Sequence, residues 1–95
     1  MAQYARVVTF EGDEAALEAL IGEINAAGRP PEGVPAKRIT VLADRSAGKV
    51  VVAIRFDSED DLRKGSETLE AMSPPDGRMR RVSVDAYEVV LEMEA

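Results

Sequence analysis

Two arginines, Arg6 and Arg55, interrupt segments that are otherwise apolar, Tyr4 to Phe10 and Lys49 to Phe56. A guanidinium in such surroundings needs a carboxylate or an anionic ligand, because a charge taken out of water without a partner is strongly disfavoured. Asp85 or Glu88 in the last strand segment could be that carboxylate, and an internal or intersubunit ion pair is favoured over a ligand contact. Tyr4 and Tyr87 make up half of the aromatic inventory. Each sits in a strand pattern, where a phenol buries its ring and leaves its hydroxyl at a boundary. Where a ligand takes the place of these partners, Arg6, Arg55 and Tyr87 are the candidate substrate-binding residues. Asn25, the only asparagine, falls at the end of a helix, where helping the C-terminus is the simpler role.

Other groupings resolve into local structure. The acidic run Asp57, Glu59, Asp60, Asp61 follows a helix first turn, where it offsets the dipole, and lacks the spacing of a calcium loop. Gly48-Lys49 resembles part of a phosphate loop, but position 43 is Ala and position 50 is Val, so it reads as a hairpin. Arg78, Arg80 and Arg81 form a small basic patch, expected to be solvated or paired with the acidic helices.

Composition excludes much else. The 95 residues carry 12 Lys+Arg against 18 Asp+Glu, a net charge of −6, with no His, Cys or Trp. Without His or Cys there is no disulfide, no thiolate nucleophile, no Ser/His or Cys/His pair and no ligand set for zinc, haem iron or an iron–sulfur cluster, so neither a metal nor a cofactor is expected. The acidic balance argues against nucleic acid and against anionic membranes as partners. The N-terminus lacks a signal-peptide apolar region and the longest aliphatic run, Val50 to Ile54, is too short to cross a bilayer, so a cytoplasmic location is expected.

The elements that must position these residues follow from periodicity. Tyr4 to Phe10 reads as a strand; Leu17, Leu20, Ile21 and Ile24 recur at helical spacing from Glu14, and Gly28 with Pro30-Pro31 ends that helix near Ala27. An irregular stretch, 28–36, holds three prolines and two glycines. Arg38 to Ala43 and Lys49 to Phe56 read as an antiparallel hairpin. Ser58 to Asp61 resembles a capping box and opens a second helix with an apolar stripe of Leu62, Leu69 and Met72, ended by Ser73-Pro74-Pro75. Gly65 inside it suggests a close approach of its backbone to the sheet or a ligand. The last strand is expected over Arg81 to Glu92, with a change of parity, and so a bulge or bend, near Ala86.

This order, βαββαβ, is the ferredoxin-like α+β arrangement in a single domain, 1–95: a four-stranded antiparallel sheet with two helices on one face. Strand three is apolar on both sides, with Val50, Val52, Ile54 and Phe56 on one and Val51 and Ala53 on the other. The second face therefore needs a cover, most simply the same face of a second copy, and a two-fold homodimer is expected.

The opening strand Tyr4-Ala-Arg-Val-Val-Thr-Phe-Glu-Gly12, the hairpin Asp44-Arg-Ser-Ala-Gly-Lys49, the segment Phe56-Asp-Ser-Glu-Asp-Asp-Leu62 and the closing Ser83-Val-Asp-Ala-Tyr-Glu-Val89 together resemble the dimeric α/β barrel superfamily, and within it proteins similar to antibiotic biosynthesis monooxygenases. The resemblance implies a homodimer and cofactor-independent oxidation or binding of a small apolar or aromatic molecule. Haem-degrading members rely on a proximal His and quinone-forming members are associated with a Trp, and the chain has neither. The alternative expectation is a non-catalytic dimeric ligand-binding or structural module.

Overall fold

The computed structural model describes residues 2–71 and 79–94. Its elements are β1 (Gln3–Glu11), α1 (Glu14–Ala27), β2 (Arg38–Asp44), β3 (Lys49–Phe56), α2 (Glu59–Ala71) and β4 (Arg80–Val89). The four strands form one antiparallel sheet in the order β2-β3-β1-β4, the ferredoxin-like α+β arrangement that the element order implies.

Local chemistry sets the element ends. The Asp13 carboxylate accepts from the Ala16 N–H at 2.8 Å and caps α1. Gly28, at φ 68°, closes the other end by donating its N–H to the Ile24 carbonyl at 3.3 Å. The Ser58 hydroxyl accepts from the Asp61 N–H at 3.1 Å and starts α2. In the β2–β3 turn, Asp44 accepts from the Ser46 hydroxyl at 2.8 Å and the Ala47 N–H at 3.2 Å, and these bonds hold its carboxyl below the usual range.

The core lies between the sheet and the helices. Val50, Val52, Ile54 and Phe56 alternate along β3 and are all buried, meeting Val8 of β1, Ala16, Leu17 and Leu20 of α1, and Met79. Ile21, Ile24, Leu62 and Leu69 are only partly buried at its margins. Gly65 makes the close approach expected of it, with the partner being the sheet: a Cβ there would stand 2.5 Å from Cε1 of Phe56. The proline-rich segment also belongs to this layer. Val34 is buried in the core, its N–H bonded to the Pro31 carbonyl at 3.1 Å, and the Gly33 carbonyl accepts from the Thr68 hydroxyl of α2 at 3.2 Å. The segment thus docks on α2 through one apolar plug and one hydrogen bond.

Two expectations for the last strand are corrected. It leaves the ladder after Val89 instead of continuing to Glu92, because Val89 already lies opposite Gln3, the first residue of its only neighbour. The register shift falls between Thr9 and Phe10, opposite Arg81 to Ser83, and pairing runs unbroken past Ala86. The parity change near Ala86 records two half-apolar faces of one continuous strand: Val84 and Ala86 pair with Val8 and Arg6 on the helix side, and Tyr87 and Val89 with Ala5 and Gln3 on the other. Met72, the Ser73-Pro74-Pro75 stop and Arg78 lie outside the described residues.

Candidate functional site

Residues directly opposite on neighbouring strands project from the same face, about 4.8 Å apart. The register therefore lays out the side of the sheet away from the helices in rows. The first row reads Arg38, Arg55, Ala5, Tyr87 across β2, β3, β1 and β4; the second Thr40, Ala53, Val7, Asp85; the third Leu42, Val51, Thr9, Ser83. On the two central strands Ala5, Val7, Thr9, Val51 and Ala53 make an uncharged, half-buried platform. Leu42 and Tyr87 at its margins are each 56% exposed.

Arg55 and Tyr87 thus share a face and flank Ala5. Arg38 stands directly opposite Arg55, a like-charge pairing that is unfavourable by itself. The chain beyond β4 relieves it. Residues 90–94 carry Glu92 across β1 to an ion pair with the Arg55 guanidinium, leaving Val90, Leu91 and Met93 strongly exposed.

Arg6 is placed on the opposite face. Its neighbours in register are Ile54 and Ala86, its guanidinium lies under α2, and the residue is 3% exposed. The sequence expectation of Asp85 or Glu88 as partner is corrected: the partner is Glu70 of α2, at 2.7 Å from Nη2, with the Ser66 carbonyl 3.4 Å from Nη1. Asp85 lies on the open face beside Val7, which removes it from reach. Arg81 joins the same carboxylate at 3.0 Å. The hydrogen bond from Arg81, together with the charges of both arginines, holds the Glu70 carboxyl below its ordinary range against a smaller upward push from desolvation. The Arg6 Nε is buried without a hydrogen-bond partner.

Tyr4 also faces the helix side, opposite Phe56 and Glu88, and burial followed by the nearby Glu59 and Glu88 carboxylates pushes its phenol upward. Arg80 reaches Glu11 at 3.4 Å, so this part of the basic patch is paired with acids, as is Arg81. Among the described residues no three carboxylates converge as a metal site requires, and no helix is long and apolar enough to cross a membrane.

Glu70 and Glu92 are the functional-site partners that sequence reasoning missed. Ser66 and Glu70 sit four apart on the sheet-facing side of α2, a spacing that could have marked Glu70 as a partner for a buried cation. Glu92 was missed because it reads as the last residue of the strand, whereas the strand ends at Val89 and the chain beyond it turns to Arg55. Comparison of the chain with protein-family models, with curated proteins and with solved structures finds no match.

Proposed function

We propose that the chain functions as a homodimeric binding module whose two open sheet faces pack against each other and hold a small apolar or aromatic ligand at the rim. The observation that carries this reading is the uncharged platform of Ala5, Val7, Thr9, Val51 and Ala53, continued at its margins by the exposed side chains of Leu42 and Tyr87. A contiguous apolar surface of this kind is unfavourable in water and marks an interface. Self-association through one patch closes under two-fold symmetry. At the edge of that interface, a ligand that displaces Glu92 meets the Arg55 guanidinium and the Tyr87 phenol on one face, the means to orient an aromatic ring with an anionic or hydroxyl substituent.

Light scattering at micromolar concentration tests the dimer. A mass near twice 10.3 kDa supports it, and Val51→Lys, which would place a charge in the dry interface, shifts the protein to monomer. A mass of 10.3 kDa for the wild type overturns it. The same Arg55 and Tyr87 pair is what a cofactor-independent oxidation of an aromatic would use for positioning, and oxygen uptake with hydroquinones, abolished by Tyr87→Phe and Arg55→Gln, tests that second reading.

A further inference from the structure

The sheet ends in two edge strands, β2 and β4, and they are protected unequally. An unpaired edge is a template for a further strand unless charges, a proline or a bulge spoil it. β4 carries Arg80, Arg81, Asp85 and Glu88, and its pairing with β1 shifts register between Thr9 and Phe10. β2 has none of these devices between its ends. Its sequence, Arg38-Ile-Thr-Val-Leu-Ala-Asp44, is uncharged from Ile39 to Ala43 and stays in unbroken register with β3, its one strand neighbour.

The layer above β2 is unfinished as well. Ile54 and Val52 of β3 are buried, yet the residues opposite them, Ile39 and Val41, are only half-buried. Leu17 and Leu20 of α1 reach the core, whereas Ile21 and Ile24 on the adjoining flank are half-buried. A groove of about 450 Å³ runs between that flank and β2, lined by Ile21, Ile24, Ile39 and Val41. Ala43, further along the same face of β2, and Leu42, on the open face, are exposed.

We propose that β2 pairs antiparallel with β2 of a second copy about a two-fold axis through Val41, joining the two sheets into one of eight strands with both helix layers on the same side. Symmetry and charge fix the register. Of the two-fold registers, only the one centred on Val41 engages all seven residues of β2. Val41 then meets the partner's Val41, Ile39 the partner's Ala43, Thr40 the partner's Leu42, and Arg38 the partner's Asp44 at each end of the ladder. Arg38 and Asp44 both project from the open face by alternation, so the opposite charges meet on one side of the joined sheet. Both turn bonds to the Asp44 carboxylate fall on Oδ1, which leaves Oδ2 to accept from the guanidinium. The charge pattern selects a second copy: the occupant must offer an acid opposite Arg38, a cation opposite Asp44 and apolar residues between, and β2 read in reverse is such a strand. This edge is separate from the open face, so the pairing stands whether or not the open faces associate. A single strand pair is narrower than the about 1,200 to 2,000 Å² of a stable complex, so it belongs to submillimolar protein concentrations, above those at which the open-face dimer is read.

The chain has no cysteine, so a single introduced one reports the register directly. Directly opposite Cα atoms of an antiparallel pair lie about 4.5 to 5.5 Å apart, within disulfide reach, whereas two copies of Ile39 would stand about 13 Å apart along the ladder. In a glutathione redox buffer at submillimolar protein, Val41→Cys should form a disulfide-linked dimer at least about tenfold faster than Ile39→Cys. Adding Arg38→Asp at its exposed position sets two carboxylates against each other at both ends and should slow the Val41→Cys linkage about tenfold. Position 41 lies on the helix side, so open-face association does not bring its two copies together, and linkage should persist when Val51→Lys is added. Equal rates at positions 39 and 41, a linkage rate indifferent to Arg38→Asp, or linkage lost in a folded Val51→Lys background would each overturn the edge pairing. The first two comparisons need no Val51→Lys, so they decide the matter even where that variant does not fold.

Discussion

Gly65 lies against the ring of Phe56: a Cβ at position 65 would stand 2.5 Å from Cε1 and 2.7 Å from Cζ, with Val34 Cγ1 at 3.4 Å on its other side. Phe56 is fully buried, so the ring has nowhere to withdraw. The glycine therefore sets how closely α2 seats on β3. Gly65→Ala should destabilise by about 1 to 3 kcal/mol through overpacking, despite the better helix propensity of alanine. Gly22, in α1, has nothing within 4 Å of its would-be Cβ, and Gly22→Ala should stabilise by about 0.5 to 1 kcal/mol. Urea denaturation of the two variants checks the pair; the same sign for both would refute the packing account.

Glu70 joins Arg6 and Arg81, and its lowered carboxyl pKa makes stability depend on pH. A carboxyl whose folded pKa is depressed binds its proton more readily in the unfolded chain. Its contribution is present above the unfolded value and disappears as pH falls through the folded one. Melting temperature should therefore drop on acidification below the ordinary glutamate range, and Glu70→Gln should remove that component of the drop. Arg6→Met should be better tolerated than Glu70→Ala, because the first removes the buried charge and the second strands it. Identical pH profiles for wild type and Glu70→Gln would rule this role out.

The β2–β3 turn is locked to the turn before α1. Gly48, at φ 66°, accepts at its carbonyl from the Gly12 N–H at 3.0 Å, and a Cβ on Gly48 would meet the Gly12 carbonyl oxygen at 2.5 Å. Gly48→Ala combines left-handed strain with a clash against backbone and should cost about 1 to 3 kcal/mol or more. Gly28→Ala, with φ 68° and open space, should cost only the conformational strain, about 1 to 2 kcal/mol. Thermal unfolding that ranks Gly28→Ala as the worse variant would contradict the interlock.

Along α2, Asp60→Ala should be near neutral, since Asp60 is exposed and its ion pair with Arg63 one turn on is solvated. Leu17→Ala in α1, at 1% exposure, should cost about 2 to 5 kcal/mol. The half-buried Leu62 and Leu69 should give smaller losses when truncated, because part of each side chain is already wet. Equal melting temperatures for all four variants would mean that the burial pattern of both helices is wrong.

Element types and order were legible in the residues because they rest on local periodicity and punctuation. The 3.6-residue recurrence of Leu17, Leu20, Ile21 and Ile24 ends at Gly28 in the structure as it does in the sequence, and β3 occupies Lys49–Phe56, as its alternation implies. The ferredoxin-like arrangement follows from that order with few alternatives. Gly65 was legible in part, as a mid-helix glycine that suggests a close approach to the sheet or to a ligand; that the neighbour is Phe56 came from the packing.

What only the tertiary structure decided is which face each polar residue meets. Arg6 and Arg55 look equivalent in sequence, each a cation within an apolar strand. The antiparallel register places Ala5, not Arg6, opposite Arg55, and since side chains alternate with period 2, that one-residue offset sends the two guanidinia to opposite sides of the sheet. One then finds Glu70 from α2 and the other Glu92 from beyond β4, partners 64 and 37 residues away along the chain. Burial of Val34 by a proline-rich loop, and the groove that α1 leaves beside β2, have the same origin: each depends on how far one layer extends over another, a distance that no local pattern of residues encodes.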